Sequence, residues 1–543
     1  MVASVIRLLG ILGGLSGALD LGTGAPLDES LVRCVAAVRL ARAVGCTDDE
    51  VRVVLYASLL EHLGCTAASH AGARAFGDDI AVVRYSFVAD LTRPVDVVRT
   101  FVPGVAAASG RGHGRTLLAA VRAARDSEPP RATCEVASGA ARRLGLGDGV
   151  VEALGHVTAQ WDGEGYPLVR GTQIPLATRI VHVAGTAVLL ALRAGSQTAL
   201  AEVRRRARTQ LDPDLVEAFT VDLLDGVTEP GPLRADGPAG AGPLDPLDVA
   251  LELEPDPVRH VDDRELEGVA RTFGDLVDLK SPRLQGHSAA VAGLASDAAG
   301  ILGLPEMSDV RLAGHLHDLG RIAVSSRIWS KTGPLTAAER DQARLHPYYT
   351  ERILARLPEL AAVATTAARH HERSDGSGYH RGLRAVDLSM PARVLAAADA
   401  YRSALESRPG RGDHQGARAG SPTTEVGMRA RPRSAEDGGQ VEAAVASLTA
   451  AARAGRLDPD AVAAVQQAAG RPGTTPVSGV AGLTGRQVEV LRLVAVGLSN
   501  REVAERLVIS PRTAEHHLQD IYQRIGASTR AAAALFAMEH GLL

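Results

Sequence analysis

Apolar residues return every three or four positions along most of the chain, the spacing of a single buried stripe on a helix. Near the start, Val5, Leu8, Leu12, Leu15 and Leu19 follow that spacing. The stretch carries one early charge, Arg7, so it predicts a buried first helix rather than a secretory signal. No later segment has the ~20 uninterrupted apolar residues of a membrane span. Three stretches break the helical pattern. EPGPLRADGPAGAGPLDPLD (229–248) and GRPGTTPVSGVAG (470–482) read as Pro/Gly-rich linkers, and the polar 408–439 reads as a disordered loop.

The last sixty residues punctuate themselves as four helices. Thr484 with Gln487, and Ser499 with Glu502, form capping boxes, and Gly497 marks the stop between them. Ser510 caps a third helix with Pro511 at its first position, Gly526 ends it, and Ser528 starts the fourth. The short turn Val508-Ile509-Ser510 between helices two and three suggests a helix-turn-helix. On the third helix Ala514, Leu518, Ile521 and Ile525 share one face and should be core. The opposite face presents Arg512, Thr513, His516, Gln519, Gln523 and Arg524, donors suited to phosphates and base edges.

The remaining pattern repeats. D-G-x-G-Y occurs at 162–166 and again at 375–379. YASLLEHLGC (56–65) parallels LAGHLHDLGR (312–321), IPLATRIVHVAG (174–185) parallels LSMPARVLAAAD (388–399), and LDPDLVEAF (211–219) parallels LDPDAVAAV (457–465). The changing offset between copies places an insertion near 66–130 in the first and near 408–439 in the second. The expected organisation is therefore a helical domain at 1–228, a linker at 229–258, a second similar domain at 259–470, a linker at 471–481 and a small domain at 482–543.

Composition sharpens this picture. Aromatics make up only 3% of the 543 residues, so helices are favoured over sandwiches and barrels. The net charge of −4 supplies no basic field over the whole chain, so any nucleic-acid surface must be local. Cys34, Cys46, Cys65 and Cys134 form no C-x-x-C pair, which indicates neither a disulfide framework nor a zinc finger and fits a reducing cytoplasm.

The second copy holds the candidate chemistry: His287, the pair His317-Asp318, His346, the pair His370-His371, and Asp399. Imidazoles and carboxylates suit Mn, Fe or Zn, and an aspartate can bridge two cations. Such a site polarises a bound water and clamps a phosphoester. The order QGHS, HDLGR, HP, HHERSDGSGYH and AAD resembles the HD-GYP family of metal phosphohydrolases over about 200 residues. The resemblance implies that all seven residues ligate a binuclear centre, with Fe or Mn as the expected pair. It also implies catalytic roles for His317, Asp318 and Arg321, and a substrate loop of Asp375, Gly376, Gly378 and Tyr379. The implied substrate is a cyclic dinucleotide, chiefly cyclic di-GMP.

Three departures bear on that implication. Arg321 stands for the family's phosphate-contacting lysine, and His380 replaces the proline of GYP, which should relax the loop. Arg283, one helical turn before His287, stands where three-metal members have a glutamate, so two metals at most are expected. The first copy reads as having lost the chemistry. Cys34 is matched to His287, Glu61-His62 to His317-Asp318, Cys134 to His346, Val157-Thr158 to the histidine pair, and Gly185 to Asp399. That set should bind no catalytic metal and reads as a scaffold, with ligand sensing as the alternative.

Residues 482–543 resemble the LuxR-type DNA-binding domain over their full length, through LTGRQVEVL, GLSNREVAERL, ISPRTAEHHLQDIYQRIG and STRAAA. The resemblance implies DNA contacts at Arg512, Thr513, His517 and Arg524, with Ser499, Asn500 and Arg501 near the backbone. His516 joins them from the helix face. Glu515 replaces a DNA-contacting lysine of many relatives, which should lower affinity or shift sequence preference. The expectation is an all-α chain: two tandem HD-domain-like bundles followed by a four-helix LuxR-type helix-turn-helix. It would be a cytoplasmic, membrane-free regulator that binds double-stranded DNA as a homodimer and senses or hydrolyses a cyclic dinucleotide or other phosphoester. The alternatives are a phosphodiesterase first and foremost, or a sensor that binds nucleotide without cleaving it.

Overall fold

A computed structural model describes residues 6–225, 245–406, 433–470 and 480–543. Most of the 408–439 and 471–481 segments, and Val5, lie outside the described residues. The all-α expectation holds: among the described residues the only sheet is a two-residue antiparallel pair, Ile6–Arg7 against His260–Val261. That pair ties the start of the first copy to the start of the second. The helix that follows it, Leu8–Thr23, is buried along nearly its whole length. It has no polar face because it lies between the copies. Gly14 sits against Leu357 and Gly22 against Ile322, where a Cβ would meet those side chains at 2.4 and 2.8 Å.

The duplication is visible in repeated local chemistry. Asp20 accepts the N–H and hydroxyl of Ser30 through one oxygen, and Asp278 accepts those of Ser288 through its two. Arg179 reaches Asp212 at 2.6 Å, and Arg393 reaches Asp458 at 2.9 Å; each aspartate also caps the next helix. Gly64 and Gly320 each lie under a carbonyl, that of Thr133 and that of His346, where a Cβ would sit about 2 Å from the oxygen. These pairs correct two correspondences. The residue that begins its helix after a left-handed Asp28, as His287 does after Gly286, is Glu29, not Cys34. Thr133, not Cys134, takes the place of His346. The insertion shifts the register only for the second, which lies beyond it; in both, the changed chemistry leaves no shared side chain to mark the match.

The insertion in the first copy folds as short helices between Ser69 and Ala123 with a small core of its own, built on Phe76, Phe101, Val102 and Val105. It also supplies Asp79, which forms a buried ion pair with Lys280 of the second copy at 2.8 Å. Of the linker read at 229–258, residues 229–244 lie outside the described residues, and the described part is partly helical. Pro246–Leu253 is a helix, capped by Asp245 and with Pro246 at its first position, and Val249 and Ala250 join the core. Residues 433–439, read as loop, belong to the helix Arg433–Arg453. Leu176–Ala194 is the one described helix long and apolar enough to cross a membrane, and half of its apolar window is buried inside the first copy.

The C-terminal helices are Gly485–Ala495, Asn500–Leu507, Pro511–Ile525 and Arg530–Glu539. Both capping boxes and the Ser510 cap form as read, and Gly526 closes the third helix in the left-handed region. The fourth helix is capped by Thr529 instead of Ser528. This domain packs on both copies. The Glu135 carboxylate accepts the N–H and hydroxyl of Ser528 and of Thr529, and Arg271 donates to the carbonyls of Met538 and Glu539.

Candidate metal centre and nucleic-acid interface

Five segments bring the seven expected residues together. His287 opens the helix His287–Ile301, and His317-Asp318 follow the end of Met307–Leu316. His346 opens His346–Leu354, His370-His371 follow Ala361–Ala368, and Asp399 lies within Met390–Glu406. All seven are buried. The ligand atoms of His287, His317 and Asp399 lie within 4.8 Å of one another, as do those of His346, His370 and His371 and those of His317, Asp318 and His370.

Asp318 stands between the two ends of this cluster. Its Oδ2 is 3.1 Å from His317 Nε2 and 3.5 Å from His287 Nε2, while its Oδ1 is 3.3 Å from His346 Nε2 and 3.5 Å from His370 Nε2. Asp399 lies 3.4 Å from His287 through Oδ1 and 3.6 Å from His371 through Oδ2. The imidazoles are held from behind. His317, His346 and His370 place Nδ1 2.6–2.7 Å from the carbonyls of Gly314, Ala343 and Ala367, so Nδ1 donates and Nε2 is left with a free lone pair. His287 Nδ1 contacts Glu406 at 3.0 Å. Glu406 is a member of the site that sequence reasoning missed; its signal was a carboxylate two turns after Asp399 on the same helix.

Burial then decides the protonation. It pulls His370 down to about 4 and His371 well below its ordinary value, which leaves neutral, ligating imidazoles. Burial alone would raise Asp318, but the Arg321 guanidinium beside it holds the carboxyl well below the usual range. Even so, His287 Nε2, His317 Nε2, both oxygens of Asp318, His371 Nδ1 and Asp399 Oδ2 are buried with no hydrogen-bond partner among the described residues. Leaving such groups unsatisfied costs about 1–3 kcal/mol each, more when charged. Divalent cations fit this donor set, which the imidazoles and the Asp318 and Asp399 carboxylates would hold.

Around the cluster, the departures from the family pattern take definite positions. Arg321 is buried, packs over the Trp329 ring, and sets its Nε 2.9 Å from Asp318 Oδ2 without the alignment of a hydrogen bond. His380 does not leave the loop slack: its Nε2 is 3.0 Å from Glu351, and Arg381 reaches the same carboxylate. Glu372 takes the N–H groups of Arg381 and Leu383, which further fixes the loop. Tyr379 stacks on His371 and has the Arg344 guanidinium 5.1 Å from its ring centroid, whereas Asp375 turns outward to cap Ser377. Gly378 packs on the Glu372-Arg373 backbone, where a Cβ would sit about 2.5 Å away, and Gly376 takes φ 81°. Arg283 lies in the turn before His287, not on its helix.

On the C-terminal domain, Ala514, Leu518 and Ile521 are buried as expected and Ile525 is half-buried. Arg512, Thr513, Glu515, His516 and Arg524 are exposed and His517 half-buried, on the side of the helix turned from the rest of the molecule. Arg524 is partly engaged with the Gly482 carbonyl, Arg501 with Glu505, and Asn500 accepts from Arg530. Ser499 caps its helix.

Comparisons with known proteins agree with both halves. The HD domain family model matches residues 271–419, and that of bacterial regulatory proteins of the luxR family matches residues 481–537. The 3'3'-cGAMP-specific phosphodiesterase 3 of Vibrio cholerae is 28% identical over 404 residues, 73% of this chain and 85% of that protein. A cyclic di-GMP phosphodiesterase of Pseudomonas aeruginosa is 39% identical over 126 residues, 23% of this chain and 30% of that one. The crystal structure of a cyclic GMP-AMP specific phosphodiesterase of V. cholerae aligns with a TM-score of 0.53 at 22% identity, over 87% of this chain and 99% of that chain, which shows a shared fold. The chain therefore joins an HD domain, related to those of the HD-GYP cyclic-nucleotide phosphodiesterases, to a LuxR-type helix-turn-helix.

Proposed function

We propose that this protein is a DNA-binding transcriptional regulator whose second copy binds two divalent cations, Fe or Mn, and with them hydrolyses a cyclic dinucleotide. The observation that carries the reading is the cluster of buried imidazole nitrogens and carboxylate oxygens of His287, His317, Asp318, His371 and Asp399 that have no hydrogen-bond partner among the described residues. A metal pair held there supplies Lewis acidity toward a phosphoryl oxygen and an activated water. The chain's own contribution is orientation. Backbone carbonyls fix three imidazoles, Glu406 fixes a fourth, and the Tyr379 loop, pinned by Glu351 and Glu372, borders the cluster. The C-terminal helix Pro511–Ile525 reads the DNA, and a dimer would present two such helices to half-sites about one helical turn apart.

A second reading, binding without turnover, has one observation in its favour. The Arg321 guanidinium lies against Asp318, where it competes for the charge a cation would use. Metal analysis of the full-length protein, coupled to hydrolysis of cyclic di-GMP and of 3'3'-cGAMP, separates the two. Turnover that His317→Ala with Asp318→Ala abolishes supports hydrolysis. Two metals bound with tight nucleotide binding and no turnover establishes the second reading, and a chain that binds no metal overturns both.

A further inference from the structure

The first copy has not simply lost its site. The structural counterparts of His287, His317, Asp318 and Asp399 are Glu29, Glu61, His62 and Gly185. Into the space between them runs Arg33, a side chain 3% exposed. Its Nη1 donates to Glu61 Oε2 at 2.7 Å and lies 2.5 Å from His62 Nε2, and its Nη2 donates to Ser30 at 3.0 Å. Burial and the neighbouring guanidinium hold His62 well below its usual range, so the ring is neutral and its Nε2 accepts. A fixed organic cation stands where the second copy gathers ligands for metal.

Arg33 lines a cavity of about 1210 Å³, roofed by the insertion through Phe76, Phe87 and Arg122 and floored by Thr158 and Tyr166. Drug-sized ligands usually occupy about 300–1,000 Å³, so this space suits something larger. Its walls are mostly apolar, with arginines outnumbering carboxylates among the charged groups, the combination that takes flat rings and phosphates together. One element of the second copy's pocket is retained: Arg131 stands over the Tyr166 ring at 5.4 Å, as Arg344 stands over Tyr379 at 5.1 Å. Three buried polar atoms in the cavity lining have no hydrogen-bond partner among the described residues: Arg33 Nε, Arg131 Nε and Gln160 Oε1. An idle guanidinium donor over an aromatic ring, with a second idle donor and an acceptor in the same cavity lining, is the complement of a base-bearing phosphodiester.

We infer that the cavity of the first copy is a metal-independent binding site for a nucleotide-class phosphodiester, with Arg33 and Arg131 as the anion contacts and Tyr166 as the ring contact. The inference does not depend on turnover in the second copy. Its test is calorimetric titration of cyclic di-GMP into chelator-treated full-length protein, which disables the second site's metals. Saturable binding is expected, weakened at least tenfold by Arg131→Ala and left within twofold by Arg344→Ala. Arg131 is the variant of choice because Arg33→Ala frees a buried carboxylate and can cost the fold. Absence of binding, or binding lost in Arg344→Ala and indifferent to Arg131→Ala, would overturn the assignment. Failure of hydrolysis in the metal-loaded protein would leave this result untouched.

Discussion

Lys280→Met offers a sharp test of how the two copies are held. Lys280 is 1% exposed and donates to Asp79 Oδ2 at 2.8 Å and to the Ile322 carbonyl at 3.1 Å. Asp79 also takes the Ser325 hydroxyl and both the N–H and hydroxyl of Ser326, all across the junction between copies. At 2.8 Å and an effective dielectric of about 20, the Coulomb attraction is about 6 kcal/mol. Desolvation offsets much of that, and removing one partner of such a pair costs about 3–5 kcal/mol because a charge stays buried alone. Urea unfolding at neutral pH, followed by circular dichroism, should show that loss for Lys280→Met. Adding Asp79→Asn should recover more than half of it, since the amide oxygen still serves the serines. A single variant within about 1 kcal/mol of wild type, or a double variant no better than the single, would refute the reasoning. The pH dependence gives a second handle. Burial alone would raise Asp79, but Lys280 and the serine donors hold it below its ordinary value. With the folded value depressed, this contribution is present above the unfolded pKa near 4 and disappears as pH falls through the folded value.

Other groups make further predictions. Burial pushes Asp20 up to about 7 despite Ser30 and Arg33, so the stability it allows is full below its unfolded value near 3.8 and falls as pH rises toward 7. Asp20→Asn should flatten that fall and stabilise the protein by up to about 4 kcal/mol above pH 7, read from denaturation midpoints across pH. Glu406→Gln should weaken metal affinity about 10–100-fold by releasing His287, measured by titrating apoprotein with Mn. Arg512→Ala should weaken promoter binding by about 1–3 kcal/mol at fixed salt with the fold intact, and unchanged affinity would mean that another face reads DNA.

Much of this architecture was legible in the sequence because local rules govern it. The 3.6-residue apolar period, the Thr484, Ser499 and Ser510 caps and the Gly526 stop each act within one helical turn, so the C-terminal helices could be placed to within a residue or two. The seven residues of the candidate centre were nameable for a different reason: metal chemistry restricts which side chains can serve, and those types stand in a fixed order. Tertiary structure decided the rest. Glu29 rather than Cys34 faces the vacated site, Arg33 fills it, and Glu406 supports His287. Each depends on which atoms meet across helices separated by tens or hundreds of positions, and neither periodicity nor spacing encodes that approach. The same holds for Lys280 and Asp79, unremarkable in sequence, which become a buried pair only because an insertion in one copy folds against the other. Desolvation at that contact, created by packing alone, gives two ordinary surface residue types their weight.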